Sequence, residues 1–365
     1  VGCNGQWPSP DSKLSEEIKH SMPIFYGALC FLLTSPVALL SVPRPRLSLL
    51  STRSSLPPSF RTHRKSPGRS FPLSMTSADP EVTIEFLKEL AEAGGALIRE
   101  NIFKRGKSTK GKISAADLVT ETDVAVEKLL ISKIKEKFPA HKFLCEESAT
   151  SDDKLTDEPT WIIDPIDGTA NFVHTFPFAS VSIGFSRGKE VKLGAVYNPV
   201  LNEMFTATKG GGAFLNGEKI TVSGCTKLSE SLVSTGFCCS LMRKLSSDST
   251  TEAERKEVEA RKEEILKYIS VIMQEVHDIR RVGSAALDLC QVAMGRTDMY
   301  FEFGPHEWDV AAGSIILEEA GGFLCDLDGA PFDIAARRTL AAASKDLAME
   351  LVNKLAAGKC LRPFR

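Results

Sequence analysis

No C-x-x-C pair occurs in the 365 residues, although nine cysteines stand at 3, 30, 145, 225, 238, 239, 290, 325 and 360. Their odd number and irregular spacing exclude a disulfide framework and a zinc site, and leave free thiols in a reducing compartment. Net charge is small, −2 with a pI of about 6.4. No overall basic field therefore draws nucleic acid or an anionic membrane surface. No apolar run is built to span a membrane: the stretch from Pro23 to Leu40 is short and is broken by Pro36. The glycine cluster Gly210-Gly211-Gly212 fits no nucleotide-binding pattern and no Lys-Ser/Thr pair follows it, so it reads as a turn. There is no internal repeat. The remaining composition is ordinary for a soluble globular protein, long enough to bury a sizeable core in one large domain or two.

Acidic residues are missing from one region. None lies between Glu17 and Asp79, while Arg44, Arg46, Arg53, Arg61, Arg64, Lys65 and Arg69 do, among many Ser and Pro. Met22 with the apolar run behind it reads as a signal peptide, and the Ser/Arg-rich part has the character of an organellar transit peptide. Translated leader sequence ahead of a start at Met75 is the alternative. Residues 1–78 are expected to form a disordered extension, since they offer little periodic apolar content. Residues 79–365 are expected to hold the folded domain. Its location follows as cytoplasmic, or plastid or organellar if the extension is a targeting segment.

From Val82 to Glu100, Ile84, Leu87, Leu90, Leu97 and Ile98 recur at helical spacing. The basic stretch Lys104 to Lys112 reads as solvated surface, or as a flap over an anionic substrate. Asp117 to Asp123 leads into a second helix that Pro139 stops, with Asp123 at its start as a cap. His141 to Ser148 reads as a strand ending in Glu146 and Glu147. Phe178 to Phe185, Val191 to Tyr197, Met204 to Thr208 and Ala213 to Leu215 follow as a meander, with a hairpin turn at Asn216-Gly217. Leu232 to Phe237 is a further strand, and the charged segment 246–264 is a solvated loop running into a helix. Arg281 to Ala286 opens another helix, Asp298 to Phe303 is a strand, and Glu307-Trp308-Asp309 starts a helix ended by Gly321-Gly322. Two strands, at Phe323 to Leu327 and Leu340 to Ala343, and a helix from Ala348 to Leu355 close the chain.

The chemistry concentrates in Trp161-Ile162-Ile163-Asp164-Pro165-Ile166-Asp167-Gly168-Thr169-Ala170-Asn171-Phe172. Trp161 to Ile163 read as the end of a buried strand, stopped at Asp164 because Pro165 cannot continue a ladder. Gly168 permits a tight turn and Thr169 starts a helix. Two carboxylates and the Ile166 carbonyl suit a hard cation such as Mg²⁺, and N–H groups at the helix start suit a phosphate. The plain alternative is an Asp-rich turn with a helix cap. Asp123, Glu146 and Asp309 stand at further strand ends and helix starts, and such ends meet on one rim in sandwich folds.

Taken together, these motifs resemble the inositol monophosphatase family. Residues 161–172 are similar to its first signature. Trp308-Asp309-Val310-Ala311-Ala312-Gly313, with Glu319-Ala320-Gly321-Gly322, is similar to its second. The likeness covers about residues 80 to 360. It implies an α+β layered sandwich, α-β-α-β-α, usually a homodimer, that needs two or three Mg²⁺ ions and is commonly inhibited by Li⁺. By the same resemblance, Glu146, Asp164 and the Ile166 carbonyl bind one Mg²⁺, and Asp164, Asp167 and Asp309 a second. Thr169 and Asp123 direct the nucleophilic water beside Glu146, and Gly168 and Thr169 N–H groups hold phosphate. Ser284, Ala285, Glu302 and Asp309 face the substrate. The implied reaction is hydrolysis of myo-inositol monophosphate by direct attack of a metal-activated water. L-galactose 1-phosphate, histidinol phosphate or another small sugar phosphate is the alternative substrate. The implied partner is a small phosphorylated cyclitol or sugar.

Cys145 stands where the family usually has Gly, and Ala170 where it has Thr; neither supplies a side-chain ligand. The segment from Cys238 to Glu264 is longer and more charged than in animal relatives. Phosphatases with an aspartate nucleophile use D-x-D-G-T, but here Pro165 occupies the nucleophile's place. A non-catalytic phosphate or metal binder would need neither Asp123 nor Thr169.

Overall fold

The structure is a computed structural model, and the residues it describes are 81–104, 109–111, 118–150, 152–238 and 250–357. The expectations for residues 1–78, for the middle of the basic stretch and for residues 239–249 lie outside the described residues. Helix α1 (Ile84–Asn101) starts where Thr83 accepts the Phe86 N–H, and it buries Phe86, Leu87, Leu90, Ala91 and Ile98. Helix α2 (Glu121–Lys137) starts at Thr120 and ends one residue before Phe138. Between them, β1 (Thr109–Gly111) pairs antiparallel with β2 (Leu118–Thr120), so part of the basic stretch is a strand and not a loop.

Seven strands follow in one sheet: β3 (Lys142–Cys145), β4 (Thr160–Asp167), β5 (Ser180–Arg187), β6 (Glu190–Asn198), β7 (Glu203–Thr208), β8 (Gly212–Leu215) and β9 (Glu218–Lys219). Only β3 and β4 are parallel; the rest is an antiparallel meander in sequence order. The turn between β8 and β9 has Asn216 and Gly217 at φ +51° and +87°, the backbone that an Asn-Gly hairpin requires. A short helix, α3 (Thr169–Val173), interrupts the meander after β4.

The second sheet has five strands in the order β11-β10-β12-β14-β13: β10 (Leu232–Thr235), β11 (Asp278–Arg280), β12 (Met299–Phe303), β13 (Phe323–Cys325) and β14 (Arg338–Ala342). β10 runs parallel to both β11 and β12. Four further helices follow among the described residues: α4 (Glu252–Glu275), α5 (Ala285–Ala293), α6 (Glu307–Glu319) and α7 (Lys345–Ala356).

Strand alternation assigns the layers. Trp161, Ile163, Val181, Ile183 and Phe185 face α1 and α2. Val196 and Phe205 face α5 and α6, which are buried along most of their length because they are covered on both sides. Tyr300 and Ala341 of the second sheet close that middle layer. Phe301, Phe303 and Leu340 point the other way, to α4 and α7. The result is the α-β-α-β-α sandwich. Gly184 and Gly194 let α6 approach the large sheet: a Cβ at 184 would fall 2.9 Å from Ala311 Cβ, and one at 194 would fall 2.7 Å from the Ala312 carbonyl.

Candidate active site

Strand β4 does not stop at Asp164. It runs through Pro165 to Asp167, pairing Asp164 with Ser182 and Asp167 with Ser180. Three steps on β4 thus meet two on β5, a bulge with one extra residue, and a bulge is where a strand tolerates proline. Asp164 Oδ1 accepts the Ile166 N–H at 2.9 Å across it. Gly168 follows at φ +94°, where a Cβ would fall 3.0 Å from the Phe178 carbonyl. Asn171 donates to the carbonyls of Phe178 and Val282, each at 2.7 Å, and ties this turn to the entry of α5.

Three helices bring their starts to the turn, each with a carboxylate. At α2, Asp123 accepts from Thr120 N at 3.0 Å and from the Thr120 hydroxyl. At α5, Asp167 accepts from the Ser284 hydroxyl, Ala286 N at 2.8 Å and Ala285 N at 3.2 Å. At α6, Asp309 accepts the His306 N–H at 2.6 Å. Ser182 on β5 donates to the Trp308 carbonyl at 3.2 Å, which fixes α6 against the sheet. As a result, carboxylate oxygens of Asp164, Asp167 and Asp309 lie within 4.8 Å of one another. Thr169 Oγ sits 3.2 Å from both Asp123 Oδ1 and the Ile166 carbonyl, so its single proton serves one acceptor at a time.

These carboxylates hold protons more tightly than usual. Burial pushes Asp123 up to about 6, against the hydrogen bonds from Thr120. Burial pushes Asp167 up to about 7, against those from Ser284, Ala286 and Ala285. Asp164 and Asp309 are raised well above the ordinary range by burial first and then by Glu146 and the neighbouring aspartates. Oxygen-only donors at this spacing, raised by burial and mutual repulsion, are a set that a hard divalent cation fits and relieves.

The cluster opens into a pocket of about 250 Å³. Glu146, Asp164, Ile166, Asp167, Gly168, Thr169, Ala285, Glu302 and Asp309 all line it. Asp123 stands behind Thr169, and buried Ser284 stands behind Asp167 with its hydroxyl given to that carboxylate. The expected metal, phosphate and substrate residues thus lie on the pocket wall, with Asp123 and Ser284 directly behind it. Glu302 forms one wall, its Oε2 accepting the Tyr300 hydroxyl at 2.8 Å; burial raises its pKa against that bond and Arg281. Arg281 and Cys238 also line the pocket and were not singled out in the sequence. Neither belongs to a chemical pattern; the only pointer to Arg281 is its place just before Gly283-Ser284-Ala285. Cys145 is buried in the outer helix-facing core, away from the pocket. A larger groove, about 500 Å³, is lined by residues of α1, β7 and β8. Among the described residues it holds no comparable donor cluster.

A profile of the inositol monophosphatase family matches residues 79–359. Inositol monophosphatase 1 of Bos taurus is 45% identical over 282 residues, covering 76% of this chain and 96% of that protein. Inositol monophosphatase 2 of Homo sapiens is 42% identical over 270 residues, covering 73% of this chain and 88% of that one. Among solved structures, the extragenic suppressor protein suhB of Bartonella henselae superposes with a TM-score of 0.64 at 30% identity, over 75% of this chain and 98% of its own. By this match over residues 79–359, and in keeping with the sandwich, the signature turn and the convergent carboxylates, the chain belongs to the inositol monophosphatase family.

Proposed function

We propose that the protein is a Mg²⁺-dependent phosphatase that hydrolyses myo-inositol monophosphate to myo-inositol and phosphate. The observation that carries this reading is the Asp164–Asp167–Asp309 cluster beside the Thr169–Asp123 pair, at the mouth of a pocket walled by Glu302. Family membership supports it. Asp164, Asp167 and Asp309 would hold one Mg²⁺, and Glu146, Asp164 and the Ile166 carbonyl another. When bound, Mg²⁺ neutralises the phosphate charge, acidifies water and stabilises the leaving alkoxide.

The chain's own residues supply the rest. Gly168 and Thr169 N–H groups hold a phosphate oxygen where the backbone turns into α3. Thr169 is a poor base alone. Its hydroxyl takes a proton from the attacking water only as it passes its own to Asp123, 3.2 Å away. Attack is direct and in line, with inversion at phosphorus and no phosphoenzyme. Glu302 accepts hydrogen bonds from hydroxyls of the departing alcohol, and Ala285 shapes the wall beside it. Ser284 acts through Asp167, to which its hydroxyl is committed.

The resemblance further supports a homodimer and inhibition by Li⁺, which sedimentation and a Li⁺ titration check. Among the described residues, no helix is long and apolar enough to cross a membrane.

The test is a kinetic panel, with and without Mg²⁺, of inositol 1-phosphate, L-galactose 1-phosphate, histidinol phosphate, fructose 1,6-bisphosphate and a 3′-phosphoadenylate. The highest kcat/KM is expected for inositol 1-phosphate. A clear preference for any of the others would replace inositol phosphate as the substrate.

A further inference from the structure

Strands β10 and β12 run parallel, with Ser234 beside Tyr300 and Thr235 beside Phe301. One step further along this register stands Gly236, beside Glu302. Side chains alternate along a strand, so Tyr300 and Glu302 share the face of β12 that looks to α5, while Phe301 and Phe303 take the other. Tyr300 is fully buried and donates its hydroxyl to Glu302 Oε2 at 2.8 Å. On the other side, a Cβ at Gly236 would fall 1.7 Å from Glu302 Oε1, 2.0 Å from Cδ and 2.4 Å from Oε2. The carboxylate fills the space that a side chain at 236 would need. The backbone of Gly236 lies outside the left-handed region, so what glycine supplies there is room and not conformation.

We propose that Tyr300 and Gly236 are positioning residues for Glu302, which set the discrimination between a polyhydroxylated alcohol and a simple one. The tyrosine hydroxyl pins one carboxylate oxygen, and the bare Cα of Gly236 lets the group lie against the pocket wall. A glutamate free to rotate would have to be ordered each time substrate binds; a pinned one has already lost that freedom on folding. This inference rests on reading the pocket as an inositol monophosphate site.

The test is the ratio of kcat/KM for inositol 1-phosphate to that for glycerol 2-phosphate. It is measured for wild type, Tyr300→Phe, Gly236→Ala, Glu302→Ala and the two double variants that add Glu302→Ala. Phosphate and metal chemistry is common to both esters and cancels in the ratio. Each single change at 300 or 236 is expected to lower the ratio about tenfold, the equivalent of ~1.4 kcal/mol. In the Glu302→Ala background either should move it less than about twofold, because the group through which both act is gone. A ratio untouched by both changes in folded protein overturns the inference, as does an equal fall with and without Glu302. Should Tyr300→Phe fail to fold, Gly236→Ala carries the same prediction, since the three atoms nearest its new Cβ all belong to the Glu302 carboxylate. A wild type that takes both esters equally overturns the substrate reading and this inference with it. A selective wild type with insensitive variants overturns this inference alone.

Discussion

Asp123 closes the capping box of α2 and also receives the Thr169 hydroxyl. Asp167 accepts three hydrogen bonds from the start of α5, and Asp309 accepts one at the start of α6. A carboxylate at a helix start is favoured by the N–H groups and the dipole there, each contribution typically about 0.3–1 kcal/mol. On the proposed function, the cap and the functional group are one side chain in each case, and capping by Asp123 is compatible with its chemical role. Replacing Asp123 by Asn keeps an oxygen for Thr120 and removes only the proton acceptor. We expect Asp123→Asn to lower kcat by about 10²–10⁴-fold, with Tm no lower than wild type and Mg²⁺ affinity by calorimetry close to it. A kcat within a factor of a few of wild type would exclude the relay. Ligand candidates were legible at this scale because chemistry restricts them to a few residue types in a fixed motif. Arg281 was not, because a lone exposed arginine on a loop resembles any surface cation until the fold turns it to the pocket.

Pro165 shows what periodicity misses at the scale of elements. A proline inside an apolar run reads as the end of a strand, and only the pairing partner reveals a bulge that lets the strand continue. Strand β11 is three residues long with little apolar character, and its existence depends on the parallel partner β10. Long amphipathic elements such as α1 and the hairpins β5–β6 and β6–β7 were legible, since period and turn chemistry are local. The approach of α6 to the sheet was not, because it depends on gaps left by glycines distant in sequence. Gly194 faces the backbone of Ala312, which cannot swing aside as a side-chain tip does. Gly194→Ala should push α6 outward and carry Asp309 with it. We expect a loss of about 1–3 kcal/mol, the usual range for overpacking, read from denaturant melts, with weaker Mg²⁺ binding by calorimetry. Unchanged stability and affinity would mean that α6 does not need this close contact.

Both sheets and the middle helices α5 and α6 contribute to the pocket wall, so the charge gathered there acts on the whole molecule. Asp123 and Asp167 titrate near 6 and 7 when folded, against an ordinary 3.8. Both bind protons more tightly folded than unfolded, so their contribution to stability is fully present below 3.8 and is lost as pH rises through 6 and 7. In EDTA, Tm should fall as pH climbs through that window. Mg²⁺ should raise Tm increasingly over the same window, because its ligands must be ionised. Melts in EDTA that rise with pH there would contradict the charge assignment. Whether these carboxylates form a Mg²⁺ site for phosphate ester hydrolysis is decided by one titration. Phosphate release from inositol 1-phosphate is followed against Mg²⁺ concentration for wild type and Asp167→Asn. We expect saturable, Mg²⁺-dependent release by wild type and none by a folded Asp167→Asn. Hydrolysis that persists in EDTA, or wild-type rates in the variant, would contradict it.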